Sequence, residues 1–283
     1  MDRVIFGDNQ FFGIDHLSEE KGIAKAIKFK ESASIINVLN QVYDMGIHTF
    51  MCTTHEKMND ICDFYRENSD KYGDFKFYPC MPYAHKYANA ATEHGLFGAL
   101  KYFTKGHMIS AFTGGLAAST GDMTKIMQVL VDAEMRAFKD LNTPVIFLQN
   151  VVTDLLLGMG ATEFFTAFAA HVKKKYNAEA GFITMNMPRL VKILNEIGLE
   201  KPIVCSSINK IGFRMSGGIS AYEDTIKANN CRPIAMQILA AGALSPSEAV
   251  DYVASQENIE SILFGASTIS HIRQTKELIE RAS

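Results

Sequence analysis

Eight short apolar runs, each separated from the next by a segment of helical periodicity or by a longer connection, predict a parallel (β/α)8 TIM barrel. The runs lie at 4–7, 48–53, 75–80, 145–149, 181–185, 202–206, 233–238 and 261–265. A length of 283 residues and an apolar share of 47% are ordinary for one barrel domain spanning 1–283.

The helices are marked by punctuation as well as by period. Residues 34–45 place Ile35, Val38, Leu39 and Val42 on one face, and Gly46 is a natural stop. Residues 122–141 put Ile126, Leu130, Ala133 and Ala137 on one stripe. Pro188 opens a helix that Gly198 closes, and Ser245-Pro246-Ser247-Glu248 reads as a capping box. The stretch 84–121 is too long for a plain connection and carries a further strand-like run at 108–112. It reads as an insertion after strand three, a lid over the barrel mouth; alternatively, 108–112 is itself a barrel strand and one of the eight is not.

Composition narrows the function classes. Lys+Arg number 28 against 31 Asp+Glu, a net charge of −3, and no basic stripe stands out, which speaks against nucleic acid as a partner. No apolar run is long enough to span a bilayer, and residues 1–5 lack the basic and apolar regions of a signal peptide. A cytoplasmic protein with no membrane partner is the expectation. Cys52, Cys62, Cys80, Cys205 and Cys231 are scattered without a CxxC pair, so neither a disulfide framework nor structural zinc is expected. The Met- and Phe-rich helix faces read as core packing and would permit a homo-oligomer.

Several segments resemble the aldo-keto reductase superfamily. Residues 235–244 (Ala-Met-Gln-Ile-Leu-Ala-Ala-Gly-Ala-Leu) are similar to that family's seventh strand and the turn after it. Ser261-Ile262-Leu263-Phe264-Gly265-Ala266-Ser267 is similar to its eighth strand and cofactor-phosphate loop. Gly46-Ile47-His48-Thr49-Phe50-Met51-Cys52-Thr53 stands where the family has its second-strand segment, and 124–149 also fit. The resemblance implies the barrel fold and raises NADP as a cofactor. The family's Asp, Tyr, Lys and His cluster would fall on Met51, His55-Glu56, Cys80 or Met81, and Gln149. Its strand-five Ser-Asn, which holds the nicotinamide amide, is half kept as Met185-Asn186, and its strand-six Gln and stacking Tyr fall on Cys205 and Ile208. The chain thus reads as a divergent member without the usual tetrad.

In such barrels the site lies at the C-terminal ends of the strands. His55, Glu56, His85 and Asp8 are the acid/base candidates, since histidine titrates near neutral pH and a carboxylate can orient it. Asn9, Gln10, Tyr83, Gln149, Asn150, Asn186, Ser207 and Gln237 offer amides, hydroxyls and a ring suited to a polyhydroxylated ligand, with Phe11 and Phe12 as further stacking surfaces. Gly265, Ser267, Thr268 and Arg273 flank a helix start that would take a phosphate or a cofactor. No metal site is assigned, because Asp8, His55, Glu56 and His85 lack fixed ligand spacing.

The reading from sequence is an enzyme acting on a small sugar-like or phosphorylated carbonyl compound by isomerisation, epimerisation or elimination. The alternatives are an NADP-dependent oxidoreductase with a displaced proton donor, and a barrel that binds without catalysis.

Overall fold

The structure is a computed structural model that describes residues 1–13, 19–82 and 123–282. Eight parallel strands close into a barrel in chain order. They are β1 (Val4–Phe6), β2 (Thr49–Thr53), β3 (Lys76–Met81), β4 (Val145–Leu148), β5 (Glu179–Thr184), β6 (Ile203–Ser207), β7 (Arg232–Met236) and β8 (Ser261–Phe264). These are the eight runs of the sequence, so the alternative that put 108–112 in place of one of them is overturned. The insertion reading of 84–121 lies outside the described residues.

Register locks the closure. Val4 pairs with Ile262, Ile5 with Leu263 and Phe6 with Phe264. Two cores result. One fills the barrel with Ile5, Met51, Tyr78, Cys80, Val145, Phe147, Ile183, Ile203, Cys205 and Ile234. The other packs the outer sheet face against the helices, where Ile35, Val38, Leu39 and Val42 on Ser32–Asp44 are all buried as their spacing predicts.

Proline and glycine act where the sequence puts them. Asn186 caps the helix Met187–Glu196 with Pro188 in its first turn, and Ser245 caps Pro246–Ala254 by accepting from the Glu248 amide. Residues 122–141 form a shorter helix, Met123–Met135, followed by a 3-10 turn at Arg136–Phe138, and the core face is Val131, Met135 and Phe138 rather than the expected stripe of Ile126, Leu130, Ala133 and Ala137, which is only half-buried. The Arg66 guanidinium draws the chain away there, donating to the Ala137 and Lys139 carbonyls at 2.7 and 3.0 Å.

Asp132 ties this helix to Glu163–Tyr176 by accepting from His171, Lys175 and Tyr176 at 2.6–2.7 Å. These partners hold its carboxyl down to about 2. Of the run Lys173-Lys174-Lys175, the last residue therefore belongs to an inter-helix contact. Among the described residues, no helix is long and apolar enough to cross a membrane.

Inside the barrel, Gly181 of β5 gives the Phe147 ring its space. A Cβ at residue 181 would meet that ring at 2.3–2.7 Å. The ring is fully buried and has no room to withdraw. Gly181→Ala should destabilise the fold by about 1–3 kcal/mol in urea unfolding. An unchanged midpoint would show that the interior relaxes freely.

Candidate active site at the C-terminal rim

The parallel strands bring their C-terminal ends to one rim, and the candidate residues arrive there with different neighbours. Asp8 follows β1 and is 7% exposed. Its Oδ2 accepts from the Thr53 amide at 2.6 Å and from the Thr53 hydroxyl at 2.7 Å. Burial raises its pKa, and the two hydrogen bonds only partly oppose that.

His55 follows two residues after Thr53. Its Nδ1 accepts from the Lys57 amide at 3.2 Å, and its ring stacks on Phe12 at 4.2 Å between centroids with a 14° tilt. An accepting Nδ1 is unprotonated, so neutral His55 carries its proton on Nε2. Lys57 and Phe12 thus orient the ring, while Asp8 reaches this loop through Thr53. Glu56 is exposed. His85 and Tyr83 lie outside the described residues.

The amides divide between exposed, half-buried and buried positions. Gln10 is buried, and its Nε2 donates to the Gly7 carbonyl at 2.6 Å. Asn9 beside it is exposed. Phe11 is fully buried against Phe6, Phe29 and Phe50. It is therefore a core ring, which corrects its reading as a stacking surface; Phe12 is the half-buried one. Gln149 and Asn150 are half-buried where β4 turns into the helix Asn150–Met159, with the Gln149 amide bonded to the Met81 carbonyl at 2.8 Å.

Asn186 follows β5 and caps the next helix loosely, its Oδ1 accepting from the Arg189 amide at 3.4 Å. Its backbone amide donates to the Thr184 hydroxyl at 2.9 Å. Ser207 ends β6, is buried, and donates to Gln237 Oε1 at 2.6 Å. Gln237 follows β7 in the left-handed region at φ 53°, and Ala240 at 47° and Ala241 at 58° continue that unusual backbone. Side chains there cost energy, and such clusters concentrate at functional sites.

At β8, the Gln10 amide covers the face of Gly265; a Cβ there would lie 2.2 Å from Gln10 Oε1. That glycine is explained by packing against Gln10. The Thr268 hydroxyl caps Ile269–Arg281 by accepting from the His271 amide at 3.4 Å. Lys28 donates to the Ser267 carbonyl at 2.6 Å, and Arg273 is exposed just past the helix's first turn. A cation and a helix N-terminus therefore meet beside the loop.

Sequence reasoning missed two threonines and an aspartate. Thr53 holds Asp8. Thr184 and the Met185 amide are held by Asp154, at 2.5 and 3.0 Å. A carboxylate one turn into a helix and thirty residues from its partner leaves no local signal.

The cysteines are buried thiols pushed up by desolvation, Cys62 and Cys231 to about 12 and Cys52 and Cys80 well above normal. They are poor nucleophiles.

The strands and the rim together define a (β/α)8 barrel. Solved structures that it matches include aldo-keto reductases, whose fold it shares. A Pseudomonas aeruginosa protein assigned to the aldo-keto reductases shares 11% identity at a TM-score of 0.61, over 99% of this chain and 90% of that one. The thermostable aldo-keto reductase Tm1743, solved with the inhibitor epalrestat, shares 12% identity at 0.58, over 99% and 90%. Aldo-keto reductase AKR11C1 from Bacillus halodurans, in its holo form, shares 8% at 0.54, over 88% and 82%. No protein-family model matches the sequence, and no curated protein does either.

The departures stand out against this fold. Met51, Cys80 and Met81 are buried apolar or thiol side chains where the resemblance calls for Asp and Lys. Cys205 and Ile208 are fully buried, so neither supplies a stacking surface.

One prediction concerns Asp8. Its folded pKa lies above the unfolded value, so its carboxyl stabilises the fold at low pH, and that contribution is lost as pH rises through the folded pKa. Asp8→Asn keeps an acceptor for both Thr53 donors. The variant should therefore gain stability relative to wild type as pH rises above about 4 in urea titrations. A wild-type advantage that grows with pH would contradict this.

Proposed function

We propose that the protein is a nicotinamide-dependent carbonyl oxidoreductase in which His55 takes the place of the family's tyrosine as proton donor. The observation that carries this reading is the fixed tautomer of His55. The Lys57 amide donates to Nδ1, which puts the proton of neutral His55 on Nε2. The stacked Phe12 ring limits its rotation.

The rim residues fit a nicotinamide in part. The Asn186 Nδ2 group makes no hydrogen bond among the described residues, so a carboxamide oxygen has a donor there. Ser207 and Gln237 stand on the next two strand ends as further polar contacts. Ser267, Thr268, Lys28 and Arg273 would meet the phosphates at the helix start. A nicotinamide held there would supply the hydride for carbonyl reduction. This chain's part is to hold the carbonyl with its oxygen on the His55 Nε2–H, give that proton to the oxygen as negative charge develops there, and regain a proton at Nε2 from solvent. The substrate is a small carbonyl compound, and the neutral amides of the rim favour one that carries hydroxyl groups.

A second reading is supported by Asp8. A buried carboxyl with a raised pKa beside the His55 loop forms an acid/base pair suited to isomerisation or elimination without a redox cofactor. Fluorescence titration with NADPH separates the two. The oxidoreductase reading expects micromolar binding, and it fails if nothing binds at millimolar cofactor.

With an aldehyde substrate, His55→Ala should lower kcat about 100-fold or more. NADPH affinity and the unfolding midpoint should stay at wild-type values. Full activity in the variant would remove His55 from the chemistry.

A further inference from the structure

We propose that Asp154 is a positioning residue that fixes the Asn186 amide at the rim. This rests on the oxidoreductase reading only in naming the ligand group that Asn186 meets. Asp154 lies one turn into the helix Asn150–Met159, which follows β4 and packs on β5. It is itself off the strand ends. Its carboxylate nevertheless grips the last residue of β5 and the one after it: Oδ1 accepts from the Thr184 hydroxyl at 2.5 Å and Oδ2 from the Met185 amide at 3.0 Å.

The first of these bonds sets the direction of the next. A carboxylate only accepts, so the Thr184 hydroxyl must spend its proton on Asp154. Its oxygen is then free to accept, and the Asn186 amide donates to it at 2.9 Å. The relay runs from Asn186 through Thr184 to Asp154, and each bond polarises the next. The carbonyls of the same segment are held from the other side. Ser206 donates to the Thr184 carbonyl at 2.7 Å, and Tyr222 to the Met185 carbonyl at 2.8 Å. The backbone that carries Asn186 is thus fixed from both faces, while its Nδ2 group stays unengaged among the described residues.

Burial opposes the charge on Asp154 and raises its pKa. A neutral amide is cheaper to bury, but it has a single acceptor oxygen and would lose one of these two hydrogen bonds. It could also turn its NH2 group toward Thr184 and reverse the relay. The carboxylate removes that second arrangement.

The test uses Asp154→Ala, Asp154→Asn and Asn186→Ala in the full chain. Nitrogen-15 spectra report the Asn186 side-chain amide, assigned by its loss in Asn186→Ala. Asp154→Ala should broaden or shift that resonance while most backbone signals remain, and Asp154→Asn should show a smaller shift. In NADPH titrations Asp154→Ala should weaken binding about tenfold, the scale of one hydrogen bond. It should add nothing in the Asn186→Ala background.

An unchanged Asn186 resonance in Asp154→Ala overturns the proposal, as does full additivity of the two losses. If Asp154→Ala fails to fold, the Asp154→Asn spectrum decides by the same resonance. If the wild type binds no NADPH, the oxidoreductase reading falls, and the resonance still decides the role of Asp154.

Discussion

Pairing of the first strand with the last is the constraint on which the rest of the molecule depends. Once Phe6 lies beside Phe264, the sheet has no free edge and its interior has a fixed volume. Ten side chains must share that volume, which is why a glycine faces Phe147. Closure with every strand parallel also requires each connection to return outside the barrel. The C-terminal ends consequently gather at one rim, and residues as distant in sequence as Asp8 and Gln237 both follow strands there. The chemistry of the mouth is a by-product of how the sheet ends.

Two of those ends are secured by the same device. At β2, Asp8 accepts from the hydroxyl and amide of Thr53; at β5, Asp154 accepts from the hydroxyl of Thr184 and the amide of the next residue. In both cases a carboxylate from another element pins a threonine where the strand stops pairing. Burial raises both pKa values, so each pin trades solvation for geometry. Natural folds keep such costs where a side chain must point one way, and the residues that follow the two pins are the candidates His55 and Asn186.

Much of this was legible in the sequence, for identifiable reasons. Strand interiors announce themselves because a barrel strand is buried on both faces, so Val145–Leu148 and Ile203–Ser207 read as nearly unbroken runs. Strand starts were less visible. β5 begins at Glu179 and Ala180, which pair with Val145 and Ile146 although their own composition does not ask for it. The helix before Ala137 was readable but its face was not: Val131, Met135 and Phe138 enter the core while Ile126, Leu130 and Ala133 stay half-buried, and Arg66 takes the carbonyls of Ala137 and Lys139 beyond its end. At the rim, polar residues directly after strands were readable as site candidates. Their sorting was not: Gln10 and Gly265 fill one another's space, Thr268 is spent on a cap, and the hold of Asp154 on Thr184 spans thirty residues.

The five cysteines carry a consequence of a different kind. All are buried, and desolvation holds their thiols in the protonated form. Cys80 on β3 and Cys205 on β6 lie inside the barrel, while Cys52 on β2 faces the surrounding shell with Cys62 and Cys231. A thiol reagent in solution meets none of them until the molecule opens. The chain therefore carries its own set of clocks, and their relative rates of alkylation record which wall parts first.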